Sequence, residues 1–78
     1  MVIQEYEVKV AYDGDDLILS HEWQGGSIVA TYDSEQWTSS DAAVEMVSNL
    51  HDVQVELDMS ADIPGGKLYL LTETEPED

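Results

Sequence analysis

The chain has 78 residues, which is enough for one small domain with a thin hydrophobic core. Eighteen acidic residues stand against two lysines and no arginine, so the formal net charge is −16, and there is no cysteine. This composition excludes disulfides and thiolate metal sites, and it excludes direct binding to nucleic acid, anionic membranes or phosphorylated substrates, all of which need basic side chains.

The N-terminal part of the sequence predicts three antiparallel strands. In residues 5–12 apolar and polar side chains alternate, which is the period of a strand with one buried face. An Asp-Gly pair at 13–14 is a hairpin signal, since both residue types tolerate positive φ. Residues 17–23 predict the return strand, and the glycines at 25–26 then turn the chain into a third strand over 27–32. The faces predicted to be buried contain Tyr6, Val8, Val10 and Tyr12 in the first strand and Leu17, Leu19, His21 and Trp23 in the second.

The middle of the sequence predicts a loop at 33–38 followed by one helix. Thr38, Ser39 and Ser40 are candidate N-caps, and Asp41 falls in the first turn, where the positive end of a helix favours an anion. The apolar residues that recur at helical spacing, and so predict an amphipathic helix of about three turns, are Ala43, Met46, Val47 and Leu50.

The C-terminal part returns to strict alternation. Residues 53–59 predict a fourth strand, and the Pro-Gly-Gly turn at 64–66 leads to a fifth strand over 67–72. Residues 73–78 are acidic, and we expect them to form a disordered tail. The side chains of the fourth strand that are predicted to face the core are Val53, Val55, Leu57 and Met59.

The element order β-β-β-α-β-β predicts a single α+β domain over residues 1–72. We expect one small antiparallel or mixed sheet, with the amphipathic helix packed on one of its faces.

No motif in the sequence predicts catalysis, a metal site or a cofactor. The acids at 13–16 begin like a calcium loop, but Leu17 and Ile18 stand where that loop needs an oxygen ligand and a glycine. His21 and His51 are thirty residues apart with no spacing typical of a shared metal, so we interpret each as a core or rim residue. We therefore expect a protein that is not an enzyme and that needs no cofactor and no metal.

The charge density of the chain suggests a different role. A compact domain of this length spans roughly 30 Å, over which duplex DNA carries about 18 phosphates. In size and charge the chain resembles the small acidic inhibitors that phages and mobile elements direct against host defences, including anti-CRISPR proteins, anti-restriction proteins and inhibitors of uracil-DNA glycosylase. The density and the resemblance together predict a nucleic-acid mimic that blocks the basic DNA- or RNA-binding surface of a partner protein.

The predicted contact surface consists of acids on exposed strand faces. The acids of the first and fourth strands would form one ribbon if those strands were neighbours, and Glu22 and the acids of the first turn would extend it. Trp37, in the loop before the helix, is a candidate aromatic anchor. The predicted partner-binding residues are Glu5, Glu7, Asp13, Asp15, Asp16, Glu22, Trp37, Glu56 and Asp58.

Two alternatives explain the same charge without mimicry. In a small domain adapted to high salt, surface acids maintain solubility, and the net charge would reflect habitat. An acidic adaptor or antitoxin-like module would neutralise a basic partner without imitating nucleic acid. No apolar run approaches the ~20 residues of a membrane span and no basic N-terminal signal is present, so we expect a cytoplasmic protein.

Overall fold

The computed structural model describes residues 4–74. The elements, in chain order, are β1 (Glu5–Asp13), β2 (Asp16–Trp23), β3 (Gly26–Asp33), α1 (Ser39–His51), β4 (Val55–Ile63) and β5 (Gly66–Glu73). The predicted order β-β-β-α-β-β is confirmed. The boundary of the predicted tail is wrong at its start, because Glu73 is the last residue of β5. Residues 75–78 of that tail lie outside the described residues.

The five strands form one sheet in the order β3-β2-β1-β5-β4. Every neighbouring pair is antiparallel, so the predicted sheet is confirmed in its antiparallel form. The first and last strands are neighbours at its centre, and the Glu73 N–H donates to the Gln4 carbonyl oxygen at 3.0 Å. No helix within residues 4–74 is long and apolar enough to cross a membrane.

The hydrophobic core lies between one face of the sheet and α1. The alternation predicted for the first two strands is confirmed over most of its length, but Tyr12 and Trp23, at the strand ends, are 51% and 38% exposed. His21 is the buried polar residue of this core. The buried apolar residues are Tyr6, Val8, Val10, Leu17, Leu19, Ala42, Ala43, Met46, Val47, Val55, Tyr69 and Leu71.

The helix begins and ends where local chemistry favours it. Of the three candidate N-caps, Thr38 takes the role, and its hydroxyl accepts a hydrogen bond from the Asp41 N–H at 3.2 Å. At the other end Asp52 adopts the left-handed conformation with φ 54°, and its N–H bonds to the Ser48 carbonyl oxygen.

The alternation predicted for β4 is wrong beyond Leu57. The pairing of β4 with β5 shifts between Leu57, opposite Leu71, and Met59, opposite Leu70, so Asp58 is an extra residue in a β-bulge. A bulge reverses which face the following side chains take, and Met59 therefore lies on the face away from the helix, where it is 58% exposed.

Two hairpin turns lie one residue away from their predicted positions. The first loop is Gly14–Asp15, and the second is formed by Gln24 and Gly25, whose φ values of 53° and 79° are typical of a type I′ turn. In the third turn Gly65, with φ 85°, follows Pro64 as predicted. Gly66 meets a different constraint, since a Cβ there would overlap the carbonyl oxygen of Val10 in the neighbouring strand.

Candidate functional site

The face of the sheet opposite the helix, which we call the open face, is not covered by any element within residues 4–74. Its residues alternate with the buried ones along each strand and lie side by side according to the strand registers. Those of the inner three strands are Glu5, Glu7, Lys9, Ala11, Asp13, Asp16, Ile18, Ser20, Glu22, Leu68, Leu70 and Thr72. Those of the outer two strands are Ser27, Val29, Thr31, Asp33, Glu56, Met59, Ala61 and Ile63.

The middle of the open face is a band of small and apolar side chains. Lys9 lies at its centre, between Ser20 of β2 and Leu68 of β5. The band ends on β3 at Val29, which is 62% exposed, and on β4 at Met59. The other apolar members of the band are Ala11, Ile18, Ala61, Ile63, Leu68 and Leu70.

One acidic group lies at the end of the open face where β1 begins, and we call it the Glu5 group. It consists of Glu5, Glu7, Glu22 and Glu56. Glu5 pairs with Thr72, which in turn pairs with Glu56, so these two acids are separated by one strand, about 10 Å. The assumption behind the predicted ribbon is therefore wrong, because β5 lies between β1 and β4. Asp58 is set apart from the group by the bulge.

A second acidic group, which we call the Asp13 group, lies at the opposite end of the same face. Asp13 pairs with Asp16, and Asp16 pairs with Asp33, so three acids form one row across three strands. Asp15, in the turn between β1 and β2, belongs to the same end, and its carbonyl accepts the Ser34 N–H at 2.9 Å. Along β1 this group lies about 20 Å from the Glu5 group. The acids of the open face thus form two groups on either side of the apolar band.

Acids also lie on other surfaces. Asp41 lies in the first turn of α1 and Asp52 at its C-cap, and both are exposed. Asp62 on β4 forms the one ion pair among the described residues, with Lys67 at 3.8 Å. Residues 4–74 contain fifteen acids and both lysines, a formal charge of −13 on a body 41 Å long. Duplex DNA of that length carries about 24 phosphates. The linear charge density of the described region is therefore about half that of DNA. This is lower than the density expected from the sequence, because the domain is 41 Å long and not roughly 30 Å.

Trp37 lies at the boundary of the core. It is half-buried, packs against the core residues, and its ring meets the ring of Tyr32 edge-on at 5.1 Å. The sequence analysis named Trp37 as a candidate aromatic anchor of the contact surface, whereas the structure packs its ring mainly against the protein's own core. Trp37 does not belong to the open face.

The structure brings together two histidines that the sequence analysis treated separately. The Nε2 atoms of His21, on β2, and His51, in the last turn of α1, are 2.9 Å apart. The Nδ1 atom of His21 lies 2.7 Å from the carbonyl oxygen of Glu7. Because a carbonyl only accepts, Nδ1 carries a proton, and neutral His21 presents a lone pair on Nε2 to the N–H of His51. The alternation in β2 placed His21 inward, but nothing local indicated that the helix would end above it.

An aromatic cluster surrounds this pair. Tyr6 and Trp23 pack on the His51 ring at centroid distances of 4.5 and 5.0 Å, and the Tyr6 hydroxyl donates to Glu73 Oε2 at 3.2 Å. Burial lowers the pKa of His51, and the neighbouring His21 lowers it further, while Glu73 acts in the opposite direction. Burial also raises the pKa of Tyr6, and its bond to Glu73 adds to that effect.

A cleft of about 480 Å³ opens beside the histidine pair. The ladder between β1 and β2 runs only from Lys9 opposite Ser20 to Asp13 opposite Asp16, so the two strands separate beyond Lys9. The cleft is lined by both histidines and by residues of the Glu5 group. Among residues 4–74 no cluster of three or more His, Cys, Asp or Glu side chains is arranged to hold a metal ion.

Comparison of the chain with models of protein families, with curated proteins and with solved structures finds no match in any of the three. A function is therefore inferred from the charge and geometry of the described surfaces.

Proposed function

We propose that the chain is a non-enzymatic acidic inhibitor that occupies the basic DNA- or RNA-binding surface of another protein. It would belong to the same functional class as anti-CRISPR, anti-restriction or glycosylase-inhibitor proteins. The observation that carries the proposal is the open face, an uncovered sheet surface on which two acidic groups flank an apolar band. A partner that fits this face has Lys or Arg side chains in two places about 20 Å apart, with apolar side chains between them.

The mechanism is competitive occlusion. The negative field of the chain speeds its encounter with a basic channel, and this attraction weakens as salt screens it. Glu5 and Glu7 lie two residues apart on one strand face, a spacing of about 7 Å that approximates successive phosphates of a nucleic-acid strand. The apolar side chains of the band, which surround Lys9, supply most of the affinity, as buried apolar groups do in protein interfaces.

The exposure of the acids supports a binding role over an enzymatic one. Thirteen of the fifteen acids in residues 4–74 are exposed, and only Glu45 and Glu73 are half-buried. A carboxyl group that acts as a general acid near neutral pH needs an apolar site that raises its pKa. Exposed carboxyl groups are instead accessible to basic side chains of a partner.

The test compares two variants of equal charge. One replaces acids of the open face (Glu5→Gln, Glu7→Gln and Glu56→Gln), and the other replaces exposed acids elsewhere (Glu35→Gln, Asp41→Asn and Asp52→Asn). The wild-type chain and each variant are immobilised and incubated with cell lysate at about 0.1 M salt, where the Debye length is ~10 Å. Bound proteins are then eluted with duplex DNA or with polyglutamate.

We expect wild-type chain and the second variant to retain a nucleic-acid-binding protein that DNA elutes more effectively than polyglutamate does. The open-face variant should lose that protein. Equal weakening in both variants would mean that only net charge matters, and the proposal would then be wrong.

A second candidate, a salt-adapted domain whose acids serve solubility, is favoured by one observation. Acids lie on the helix and on β4 as well as on the open face. Only one of the acids among the described residues, Asp62, is paired with a basic side chain. The salt dependence of the melting temperature separates the two candidates.

A further inference from the structure

The two end strands of the sheet differ in how well their outer edges are protected. The β4 edge carries the bulge at Asp58 and is followed directly by Pro64, and both features hinder pairing with another strand. β3 pairs with β2 in unbroken register from Gly26 to Asp33, and none of its residues before Asp33 is charged. Its outer edge has no partner within residues 4–74. Proteins normally block such edges with charges, prolines or bulges, and β3 has none of these before its last residue.

The hairpin geometry identifies the free backbone groups of β3. In a hairpin with a two-residue loop, the residues flanking the loop exchange both of their hydrogen bonds, and such pairs then alternate with non-bonded pairs. The flanking pair is Trp23 and Gly26, so bonded and non-bonded pairs alternate along β3 from that point. The residues of β3 whose N–H and C=O groups point away from β2 are therefore Ser27, Val29 and Thr31.

The side chains of β3 are also incompletely covered. The helix makes its main contacts with β1, β2, β4 and β5, so β3 lies at the margin of the surface that the helix covers. On the helix side Ile28, Ala30 and Tyr32 are half-buried, and on the open face Val29 is 62% exposed. A sixth strand beside β3 would cover apolar surface on both sides and would satisfy the free backbone groups.

We propose that β3 accepts an extended, basic segment of a partner protein as a sixth strand of the sheet. The net charge of −16 opposes pairing with a second copy of the chain and favours a segment in which Lys or Arg alternates with apolar residues. This contact uses the backbone of one edge, and it requires neither nucleic-acid mimicry nor the acids of the Glu5 group. It therefore stands independently of the proposed function.

The test uses a peptide of four Lys-Val repeats as the probe and a peptide of four Glu-Val repeats as its control. Amide hydrogen exchange of the chain is measured by NMR with and without each peptide. The basic peptide should slow exchange at Ser27, Val29 and Thr31 by about tenfold or more, which corresponds to ~1.4 kcal/mol of protection. The acidic peptide should leave these amides unchanged.

Val29→Pro removes a donor from the free edge without removing a bond to β2, because the Val29 N–H points outward, and proline is tolerated on edge strands. It should weaken binding of the basic peptide about tenfold, while Val29→Thr, which keeps the donor, should bind within about threefold of wild type. Circular dichroism verifies that both variants are folded. If Val29→Pro does not fold, the exchange pattern of the wild-type chain with the basic peptide still tests the proposal.

Three outcomes would overturn the proposal. One is protection that falls on open-face residues of other strands instead of on the β3 edge. Another is equal binding of the peptide by folded Val29→Pro. The third is a dimer of the free wild-type chain in sedimentation that Val29→Pro abolishes, since the edge would then accept a second copy. The open-face glutamine variant should still bind the basic peptide at β3. Failure of the mimicry proposal can therefore be told apart from failure of the β3 proposal.

Discussion

At the scale of single residues, the pairing of His21 with His51 makes folding sensitive to pH. Two protonated imidazoles would place two Nε2–H groups 2.9 Å apart, so the pair holds at most one proton at that position. The pKa of His51 is lowered by burial from its ordinary value of 6.5, so the unfolded chain binds this proton more readily than the folded one. The stabilisation is fully present above about pH 6.5 and is lost as the pH falls through the lower pKa of folded His51.

We therefore expect the wild-type free energy of unfolding, measured by urea titration, to contain a component that decreases as the pH falls below about 6.5. His51→Gln retains a side-chain donor for the lone pair of His21 but does not titrate, so it lacks this component. Because the acids change the background in both proteins, the informative quantity is the difference between the two pH profiles. Parallel profiles would show that the pair does not affect stability through protonation.

At the scale of elements, the close approach of β5 to β1 leaves no room for a side chain at position 66. A methyl group there would overlap the Val10 carbonyl oxygen, which is backbone and moves only if the strand moves. We expect Gly66→Ala to lower the free energy of unfolding by about 2–4 kcal/mol. Gly26→Ala is the matched control, since its nearest contact is 3.9 Å away and the change should cost less than about 0.5 kcal/mol. Similar costs for both variants in urea titrations would contradict this interpretation.

The same elements show how far the sequence alone determines the fold. The first two strands and α1 were predicted well because their apolar residues keep a local period and Thr38 caps the helix. The bulge at Asp58 was not, because it depends on pairing with a strand that follows in the chain. The placement of β5 between Glu5 and Glu56, and the meeting of His21 with His51, depend on strand order and on where the helix crosses the sheet. Alternation within a segment carries no information about either.

At the scale of the whole molecule, charge repulsion and salt govern stability. The only ion pair among residues 4–74 joins two side chains that are both substantially exposed, so it offsets little of the net negative charge. Salt at 1 M reduces the Debye length from ~10 Å to ~3 Å and should raise the melting temperature. We expect a cooperative thermal transition at 0.1 M salt and an increase of about 5 °C or more at 1 M.

Circular dichroism at both salt concentrations measures this transition. A chain that is unfolded at 0.1 M salt and folds only near molar salt would contradict the expectation, and it would favour the salt-adapted candidate. Sodium sulfate and sodium chloride at matched ionic strength separate screening from the additional effect of an excluded anion on apolar burial. An increase that is confined to sulfate would mean that repulsion between acids is not the main cause of the salt dependence.

The central position of β1 and β5 has a consequence for how the molecule assembles. During synthesis the β1–β2–β3 meander and the α1–β4 segment emerge before β5, which joins them. Among the strands of residues 4–74, β4 pairs only with β5. Closing the seam between β1 and β5 requires contacts that span almost the entire chain, and such closure is slow and highly cooperative. Because Tyr69 and Leu71 of β5 belong to the hydrophobic core, that core is complete only after β5 has left the ribosome and paired with β1.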